Sequence, residues 1–296
     1  MKETFRAVVI VLALTPVLIS GCSQPRPTEE GPKEATRIVS LSPAMTEVLF
    51  ELGAGDLLVG RSDYCRYPSS LSSLPTGGTA LTPNLEALVR MRPELIVAEG
   101  SLSVARATLE KIAPTSLLPW TTVEDVGAGI VALGELVGRD DAAAGLVTRV
   151  RAALAAPVEP LGPRVLLLVG MGGASDTTFW FLKEDSLHGQ ALMAAGARNA
   201  VTHEVTGAPS LGVEELLKVD PEVVIALIPD GVEAEAAKER YRKALSRFKM
   251  LRVVKEDSLG FLVGSKHMSV GPRIVDFVES LRGELKRLAG KERSRP

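Results

Sequence analysis

Two spacings of apolar residues alternate along this chain: a helical spacing of three to four, and short runs that are apolar at every position. The clearest example is residues 84–98, N-L-E-A-L-V-R-M-R-P-E-L-I-V-A, with which residues 212–226, G-V-E-E-L-L-K-V-D-P-E-V-V-I-A, align without a gap. Each copy predicts an amphipathic helix that ends before its proline, followed by a strand buried on both faces. A helix-then-strand unit used twice predicts two α/β lobes of similar design, although any α/β protein can contain the unit twice.

The remaining segments extend this alternation over most of the chain. Further strands are predicted from apolar runs at residues 37–41, 57–60, 116–119, 164–169, 252–254 and 261–263. Strands that alternate with helices favour parallel sheets. The predicted fold class is α/β, with two lobes of mainly parallel sheet joined by one long, rigid helix.

The predicted connecting helix covers residues 140–157 and lies between the two copies of the repeat. Two aspartates stand at its positive end, apolar residues follow at four-residue spacing, and Pro157 ends it. The predicted boundaries are residues 37–139 for the N-terminal lobe and residues 158–296 for the C-terminal lobe. A stiff helix between lobes predicts that they open little; the alternative is one more surface helix of the first lobe.

The first residues have the features of an export signal. Two basic residues precede an apolar stretch at residues 7–19, which is shorter than the roughly 20 residues that span a bilayer. The following L-I-S-G-C resembles a bacterial lipobox, so residues 1–22 are predicted to be a lipoprotein signal peptide, with Cys22 as the lipidated residue. Residues 23–36 are polar and proline-rich and predict a disordered tether. The alternative is an ordinary secretory peptide or a membrane anchor.

Composition narrows the classes of function. The 296 residues carry a formal net charge of −2 and no basic block, so nucleic-acid binding is not expected. The sequence has no G-x-S-x-G, P-loop, H-E-x-x-H or Cys-x-x-Cys pattern, and its three histidines form no local metal-ligand motif. An exported chain of this kind is typical of a receptor, and we predict no enzyme activity, no cofactor and no protein-bound metal.

Candidate ligand-binding residues lie where the predicted strands end. Ligands of open parallel sheets bind beyond the carboxyl ends of the strands, and this places the loops at residues 63–68, 79–83 and 99–102 on one rim. Clefts between domains are favoured ligand sites. The residues predicted to line an interlobe cleft are Tyr64, Cys65, Tyr67, Trp180 and His267. The structural alternatives are that the tyrosines pack their loop, the tryptophan lies in the core, the histidine is an exposed loop residue and the cysteine is a small buried apolar group.

Two glutamates occupy matched places in the two copies of the repeat. Glu86 and Glu214 each lie in the first turn of a predicted helix. The helix dipole stabilises an acid at this position in any case. Their equivalence predicts in addition that one carboxylate from each lobe meets a symmetric partner.

Several motifs together resemble a known family. They are R-I-V-S-L-S-P-A-M-T-E at 37–47, D-Y-C-R-Y-P at 63–68, both copies of the repeat, and G-P-R-I-V at 271–275. The chain is similar over residues 37–290 to the class III substrate-binding lipoproteins of ABC importers, the periplasmic cobalamin and iron–siderophore receptors, also called helical-backbone metal receptors. The resemblance implies two α/β lobes joined by one long helix. It also implies that Glu86 and Glu214 dock on arginines of the two permease subunits.

The resemblance also implies a ligand. The D-Y-C-x-Y-P loop is similar to that of members that take corrinoids, so cobalamin is the first choice, and aromatic rings suit the faces of a flat corrin. The sequence departs from some cobalamin receptors at Ala80, where they have Trp, and at residues 265–267, where they carry an acidic–aromatic pair. An iron–siderophore or haem stays open, and Tyr64, Tyr67 or His267 could supply a haem axial ligand.

As such a receptor the chain is expected to be a monomer in the cell envelope, in the periplasm or on the outer face of the cytoplasmic membrane. Its lipid anchor would hold it at the membrane, and its partners would be an ABC permease dimer with ATPase subunits. Hypotheses from other classes are an exported α/β hydrolase that uses Ser175 or Ser265 with His267, and a lipid-anchored adhesion or scaffolding protein. Substrate turnover by the purified protein would support the hydrolase.

Overall fold

The N-terminal half of the chain forms a parallel sheet of four strands. The computed structural model describes residues 35–100, 103–155, 157, 162–172, 177–205 and 207–293. The predicted signal peptide with Cys22, and nearly all of the predicted tether, lie outside the described residues. The strands are β1 (Ile38–Ser40), β2 (Leu58–Arg61), β3 (Leu95–Glu99) and β4 (Thr115–Leu118). They lie in the order β2-β1-β3-β4, and every neighbouring pair is parallel.

The second sheet is mixed. Its strands are β5 (Arg164–Gly172), β6 (Thr178–Phe181), β7 (Arg198–Asn199), β8 (Ser210–Leu211), β9 (Val223–Ile228) and β10 (Leu259–Val263). The order is β10-β9-β5-β6-β8, with β7 also paired to β5. β5, β7, β9 and β10 are mutually parallel, whereas β6 is antiparallel to both β5 and β8. The predicted α/β class with mainly parallel sheets is confirmed, and the aromatic run at 179–181 forms the antiparallel strand.

Helices cover both faces of each sheet. In chain order they are α1 (Pro43–Glu51), α2 (Leu85–Met91), α3 (Ser103–Leu109), α4 (Val123–Leu136), α5 (Asp140–Leu154), α6 (Leu187–Ala194), α7 (Val213–Val219), α8 (Ala234–Ser246), α9 (Arg252–Lys255) and α10 (Ile274–Arg293). Ile38 and Val97 pack with α1 and α4, while Val39 and Ile96 pack with α2 and α3, as the two-residue period of a strand requires. Within the described residues, no helix combines the length and the apolar character needed to cross a membrane.

The two copies of the repeated unit share their construction. Helices α2 and α7 both end in a residue with left-handed backbone, Arg92 with φ 48° and Asp220 with φ 38°. Arg37 donates hydrogen bonds to the last two carbonyl oxygens of the α2 end, and Arg164 does the same at the end of α7. These arginines satisfy carbonyl groups that have no partner within their helix. The equivalence of the copies therefore extends from sequence to hydrogen bonding.

Helix α5, the predicted connector, contacts both lobes. It packs on α4 of the first lobe and on α6 and α10 of the second. Its apolar residues Leu146, Val147 and Val150 are buried in a core that continues from β1 to α10. Arg149 also forms an ion pair with Glu51 of α1 at 2.5 Å. The helix ends at Leu154 and not at residue 157, and its apolar contacts on both sides are consistent with limited opening of the lobes.

One predicted strand is a helix. Residues 252–254 belong to the short helix α9 and do not form a strand. The backbone N–H of Arg252 donates to Asp220 Oδ1 at 2.9 Å, and its guanidinium pairs with Glu256 and Glu222 at 3.3 and 2.9 Å. The pair with Glu256 has the four-residue spacing that supports a helical turn. A run of two valines cannot distinguish a buried strand from a buried turn of helix, and these polar contacts decided the outcome.

Candidate functional site

The carboxyl ends of the two sheets meet at the boundary between the lobes. Residues 264–273 follow β10 and contact the first lobe at two places. Trp120, just after β4, donates from Nε1 to the backbone oxygen of Val270 at 3.0 Å. Glu47 of α1, the helix that follows β1, accepts a hydrogen bond from Ser269 Oγ at 2.9 Å. Loops at strand ends of both lobes therefore border one another, which is where a ligand of open α/β sheets is expected.

Bulky side chains stay exposed on the rim of the first lobe. Tyr64 is 66% exposed and Tyr67 is 45% exposed, and Leu81 in the neighbouring loop is more exposed still. The two loops are tied together, because the N–H of Asp63 donates to the oxygen of Gly78 at 2.9 Å. Large apolar groups that remain exposed together mark interaction sites. Both phenol rings are accessible to a ligand, and their binding role stays a prediction.

Trp180 provides the corresponding aromatic ring in the second lobe. Its side chain is 40% exposed, whereas Phe179 and Phe181 are buried on the other face of β6. The indole lies over the end of β5, since a Cβ at Gly172 would stand 2.4 Å from the Trp180 ring and one at Gly170 would stand 3.0 Å from it. Glycine at these positions leaves the space that the ring occupies against the strand. The tryptophan therefore stands at the carboxyl end of the sheet, partly open to solvent.

Cys65 points into the protein. It is buried, and its Sγ lies 3.1 Å from Thr46 Oγ1 and 3.3 Å from Ser62 Oγ. A ligand at the lobe boundary does not reach this sulfur in the structure. The structural alternative for this residue, a small buried group that packs the loop, fits its position better than direct ligand contact.

His267 is also buried and was predicted to line the cleft. Its backbone oxygen accepts a hydrogen bond from Nε2 of His188 at 3.0 Å, and its own Nδ1 is buried without a hydrogen-bond partner among the described residues. Burial lowers the pKa of His267, and the nearby positive charges of Lys266 and Arg273 lower it further. The imidazole is therefore neutral at pH 7. Its side chain packs in the protein interior beneath the 264–273 segment, to which it belongs, and is not exposed in the loop.

A charged pair across the lobes was missed by the sequence analysis. Arg273 Nη2 lies 2.5 Å from Glu47 Oε1, although the two residues are 226 positions apart. The guanidinium also covers Tyr67, with Cζ 4.1 Å from the centre of its ring. Both residues lie in motifs that carry the family resemblance, and a glutamate in the apolar run of α1 could have indicated a buried acid that needs a partner. Their pairing could not be deduced from the sequence because it depends on how the lobes pack.

The matched glutamates are exposed in both lobes. The side chain of Glu86 is 87% exposed and lies 3.6 Å from Arg90, and Glu214 is exposed in the first turn of α7. Both helices lie on the outer faces of their sheets. Because each helix runs back against its sheet, its first turn stands at the carboxyl edge of the strands, next to the lobe boundary. The two carboxylates are therefore accessible to a partner on the same side of the molecule as the aromatic rims.

Comparisons with known proteins identify the family of the chain. The family model described as periplasmic binding protein matches residues 38–249. An uncharacterised ABC transporter substrate-binding lipoprotein of Bacillus subtilis, YvrC, is 24% identical over 91% of this chain and 93% of its own length. A cobalamin-binding protein of Halobacterium salinarum is 28% identical over 68% of this chain, which spans about half, 55%, of that relative.

A solved structure has the same fold. A periplasmic haem-binding protein from Pseudomonas aeruginosa superposes with a TM-score of 0.69, at 24% identity, over 88% of this chain and 94% of that one. Proteins of this family bind a substrate and work with a permease and an ATPase, and nothing in the similarity indicates catalysis. With a family model that covers most of its length, this chain belongs to the periplasmic binding protein family, as a substrate-binding protein of an ABC importer.

Proposed function

We propose that this protein captures a corrinoid, in the first instance cobalamin, between its lobes and delivers it to an ABC permease. The observation that supports this most is the set of partly exposed rings at strand ends, with Tyr64 and Tyr67 on one lobe and Trp180 on the other. A corrin is large and flat, and aromatic side chains bury apolar area while presenting a planar face. The similarity to a cobalamin-binding protein points to the same class of ligand.

Haem is the second candidate, and one observation favours it. Tyr64 and Tyr67 leave phenol groups accessible on the rim, and a tyrosine oxygen is a known axial ligand of haem iron. The structural neighbour from Pseudomonas aeruginosa is a haem-binding protein. An iron–siderophore of the same family is the third candidate. The buried position of His267 leaves the tyrosines as the stronger candidates for the axial ligand.

The remaining predicted sites complete the proposal. Glu86 and Glu214 dock the two lobes on the two permease subunits, and their exposure in matched first turns supports this. Cys22 carries the lipid that holds the monomeric receptor at the membrane. The Bacillus subtilis relative is named a lipoprotein, which supports the anchor. Cys65 and His267 hold the ligand loops in place from within.

The test is a titration of the purified protein without its leader, residues 24–296, with cyanocobalamin, haemin and a ferric siderophore in parallel. Tryptophan fluorescence should be quenched saturably at micromolar or lower concentration by one of them. The chain has two tryptophans, and Trp180→Phe is the matched variant because Trp120 is buried at the lobe junction. We expect quenching by cyanocobalamin, with most of the signal lost in Trp180→Phe.

Each other result leads to a different conclusion. Saturable quenching by haemin or the siderophore, with cyanocobalamin silent, would replace the ligand and keep the receptor function. Quenching that is unchanged in Trp180→Phe would place the ligand away from the aromatic rim of the second lobe. No response to any of the three compounds would refute the proposed ligand classes.

A further inference from the structure

We infer that Arg273 is a positioning residue, which holds the ring of Tyr67 in place for the ligand and is itself fixed by Glu47 of the other lobe. This inference rests on the proposed function insofar as Tyr67 contacts the ligand. It concerns a residue that the ligand does not need to touch. The role follows from four contacts that converge on the segment between β10 and α10.

The first contacts are those of the Glu47 carboxylate, which is buried and accepts hydrogen bonds from the other lobe with both of its oxygens. Oε1 pairs with Arg273 Nη2 at 2.5 Å, and Oε2 accepts from Ser269 Oγ at 2.9 Å. The Ser269 oxygen in turn accepts the backbone N–H of Gly271 at 3.1 Å. A buried carboxylate is tolerated where a charged partner and hydrogen bonds compensate it. Glu47 therefore fixes the guanidinium at a defined point of the lobe boundary.

The approach of the segment to α1 is itself constrained. A Cβ at Gly271 would stand 2.8 Å from Glu47 Oε2 and 3.1 Å from the Cα of Ala44. Any side chain at position 271 would push the segment away from the first lobe. Glycine at this position allows the contact that places Arg273 over the tyrosine.

The guanidinium then stacks on an aromatic ring that is partly exposed to solvent. Arg273 Cζ lies 4.1 Å from the ring centre of Tyr67, and the arginine side chain is only 17% exposed, whereas Tyr67 is 45% exposed. Cations at this distance are attracted to the ring face. The stack holds the tyrosine in one rotamer before the ligand binds. Without it, the side chain would be ordered only on binding, and this entropic cost would lower the affinity for the ligand.

One unsatisfied atom distinguishes this arrangement from a simple bridge between lobes. Arg273 Nε is buried and makes no hydrogen bond to any described residue. A buried donor without a partner lowers stability. The orientation of the guanidinium plane is thus set by Glu47 and by the tyrosine face, at the expense of this hydrogen bond. A bridge that served stability alone would need only the charge and not the planar stack.

The variant Arg273→Lys separates the two roles, because lysine keeps the charge next to Glu47 and loses the planar group. We expect it to weaken binding of the compound that responds in the titration, cyanocobalamin first, by about 5-fold. In the Tyr67→Leu background the same change should have no further effect on affinity, since its target is gone. The matched control is Arg242→Lys, which removes a similar stack on Phe261, 5.2 Å from the ring centre, on the outer face of the second lobe.

A readout without ligand keeps this test independent of the proposed function. The protein has three tyrosines, so labelling with 3-fluorotyrosine should give three ¹⁹F resonances, and Tyr67→Phe assigns the one of interest. Arg273→Lys should shift and broaden the Tyr67 resonance and leave that of Tyr241 unchanged. If Arg273→Lys does not fold, Glu47→Gln provides the same measurement, because it releases the arginine.

Two results would overturn the inference. One is an unmoved Tyr67 resonance in both variants. The other is a loss of affinity caused by Arg273→Lys that is as large in the Tyr67→Leu background as in the wild-type protein. That result is expected if Arg273 only bridges the lobes and does not act through the tyrosine. If none of the three compounds binds, the proposed ligand classes are wrong, and the ¹⁹F comparison alone decides whether Arg273 holds Tyr67.

Discussion

The helix-then-strand unit of the first lobe and its copy in the second lobe have the same skeleton and different surroundings. Both helices end in a left-handed residue, and in both an arginine at the start of the lobe's first strand, Arg37 just before β1 and Arg164 as the first residue of β5, binds the last carbonyl groups. The beginnings of the helices differ. The side chain of Asn84 caps α2 by accepting the N–H of Ala87 at 3.0 Å, whereas Gly212 precedes α7 without a side chain to do so.

The neighbours of Glu86 and Glu214, the two glutamates that we propose for docking, also differ. Glu86 lies next to Arg90 and the exposed apolar residue Val89. Glu214 lies next to Glu215, which is hydrogen-bonded to His203 at 3.1 Å. The copies therefore share the features that the connection from helix to strand needs, namely the left-handed helix end and the arginine that binds it. They differ in the surface that a partner would meet. A symmetric pair of permease subunits would meet two glutamates at equivalent positions in unlike surroundings.

The largest expected effect concerns the glutamate that both copies carry at their surface. If Glu86 and Glu214 dock on the permease as proposed, reversing both charges, Glu86→Lys with Glu214→Lys, should abolish uptake of the ligand by cells. Ligand affinity should stay nearly unchanged because both side chains are exposed and belong to outer helices. Uptake of labelled ligand and a titration of the purified variant measure the two quantities.

A matched control keeps the same change in net charge. Glu135→Lys with Glu239→Lys reverses one exposed glutamate in each lobe on other helices, and it should leave uptake intact. The single reversals test the unequal surroundings, and a larger loss with one of them would show which lobe contributes more to docking. Uptake that survives the double reversal would refute the docking assignment.

The second expected effect concerns acid, to which the lobes should respond differently. All three histidines lie in the second lobe, and burial lowers the pKa of both His188 and His267. A histidine that stays neutral when folded binds its proton more readily when unfolded, at about pH 6.5. The free energy of unfolding is therefore fully present above that pH and falls as the pH drops below it, by up to about 1.4 kcal/mol per pH unit for each buried histidine.

Urea unfolding between pH 5 and 7.5 measures this slope. His188→Gln should remove roughly half of it, since one of the two buried histidines is lost. His203→Gln is the control, because the side chain of His203 is 52% exposed and pairs with Glu215 at the surface of α7. Carboxylates with a lowered pKa, such as that of Asp230, to which Ser265 donates, lose their contribution only at more acidic pH. A slope that is the same in all three proteins would contradict the assignment.

The third expected effect tests the shared arginine at the end of each helix. Arg37→Met and Arg164→Met should each lower the free energy of unfolding by about 2 kcal/mol, because charged hydrogen bonds to otherwise unpaired carbonyl groups are lost. The two losses should be similar, since each arginine makes two such bonds, at 3.0 and 2.6 Å for Arg37 and at 3.1 and 2.8 Å for Arg164. Arg66→Met, at an exposed loop position, is the control. Strongly unequal losses would mean that the copies are alike in geometry and not in energy.

Sequence reasoning was most successful where the physics is local. The repeat, the α/β class and the order of most helices follow from spacing, prolines and caps, and the structure agrees. It was wrong at residues 252–254, where two valines suit either a strand or a turn of helix and distant acids determine the outcome. It did not foresee the antiparallel β6, because the pairing direction depends on the neighbouring strand and not on the strand's own composition.

The candidate site was predicted less completely, for a related reason. Exposure of Tyr64, Tyr67 and Trp180 agrees with their placement at strand ends. Burial of Cys65 had been given as the alternative to ligand contact, because free cysteines are usually buried. Burial of His267 could not be deduced from its loop position, since it depends on which groups the loop packs against. The contact between Glu47 and Arg273 joins residues of different lobes, and only the packing of those lobes brings it about.

The smallest expected effect tests the difference at the helix starts. Asn84→Ala should lower the free energy of unfolding by about 1 kcal/mol, because the N–H of Ala87 loses its cap. Gly212→Asn should raise it by roughly 0.5 kcal/mol, since φ −78° and ψ 174° suit any residue and nothing lies within 4 Å of the new Cβ. Gly212→Ala, which gains the backbone effect without the cap, separates the two contributions. If urea unfolding gives the same free energy of unfolding for Gly212→Asn and Gly212→Ala, then a capping side chain does not stabilise α7. The absence of such a side chain at Gly212 would then cost the second lobe no stability.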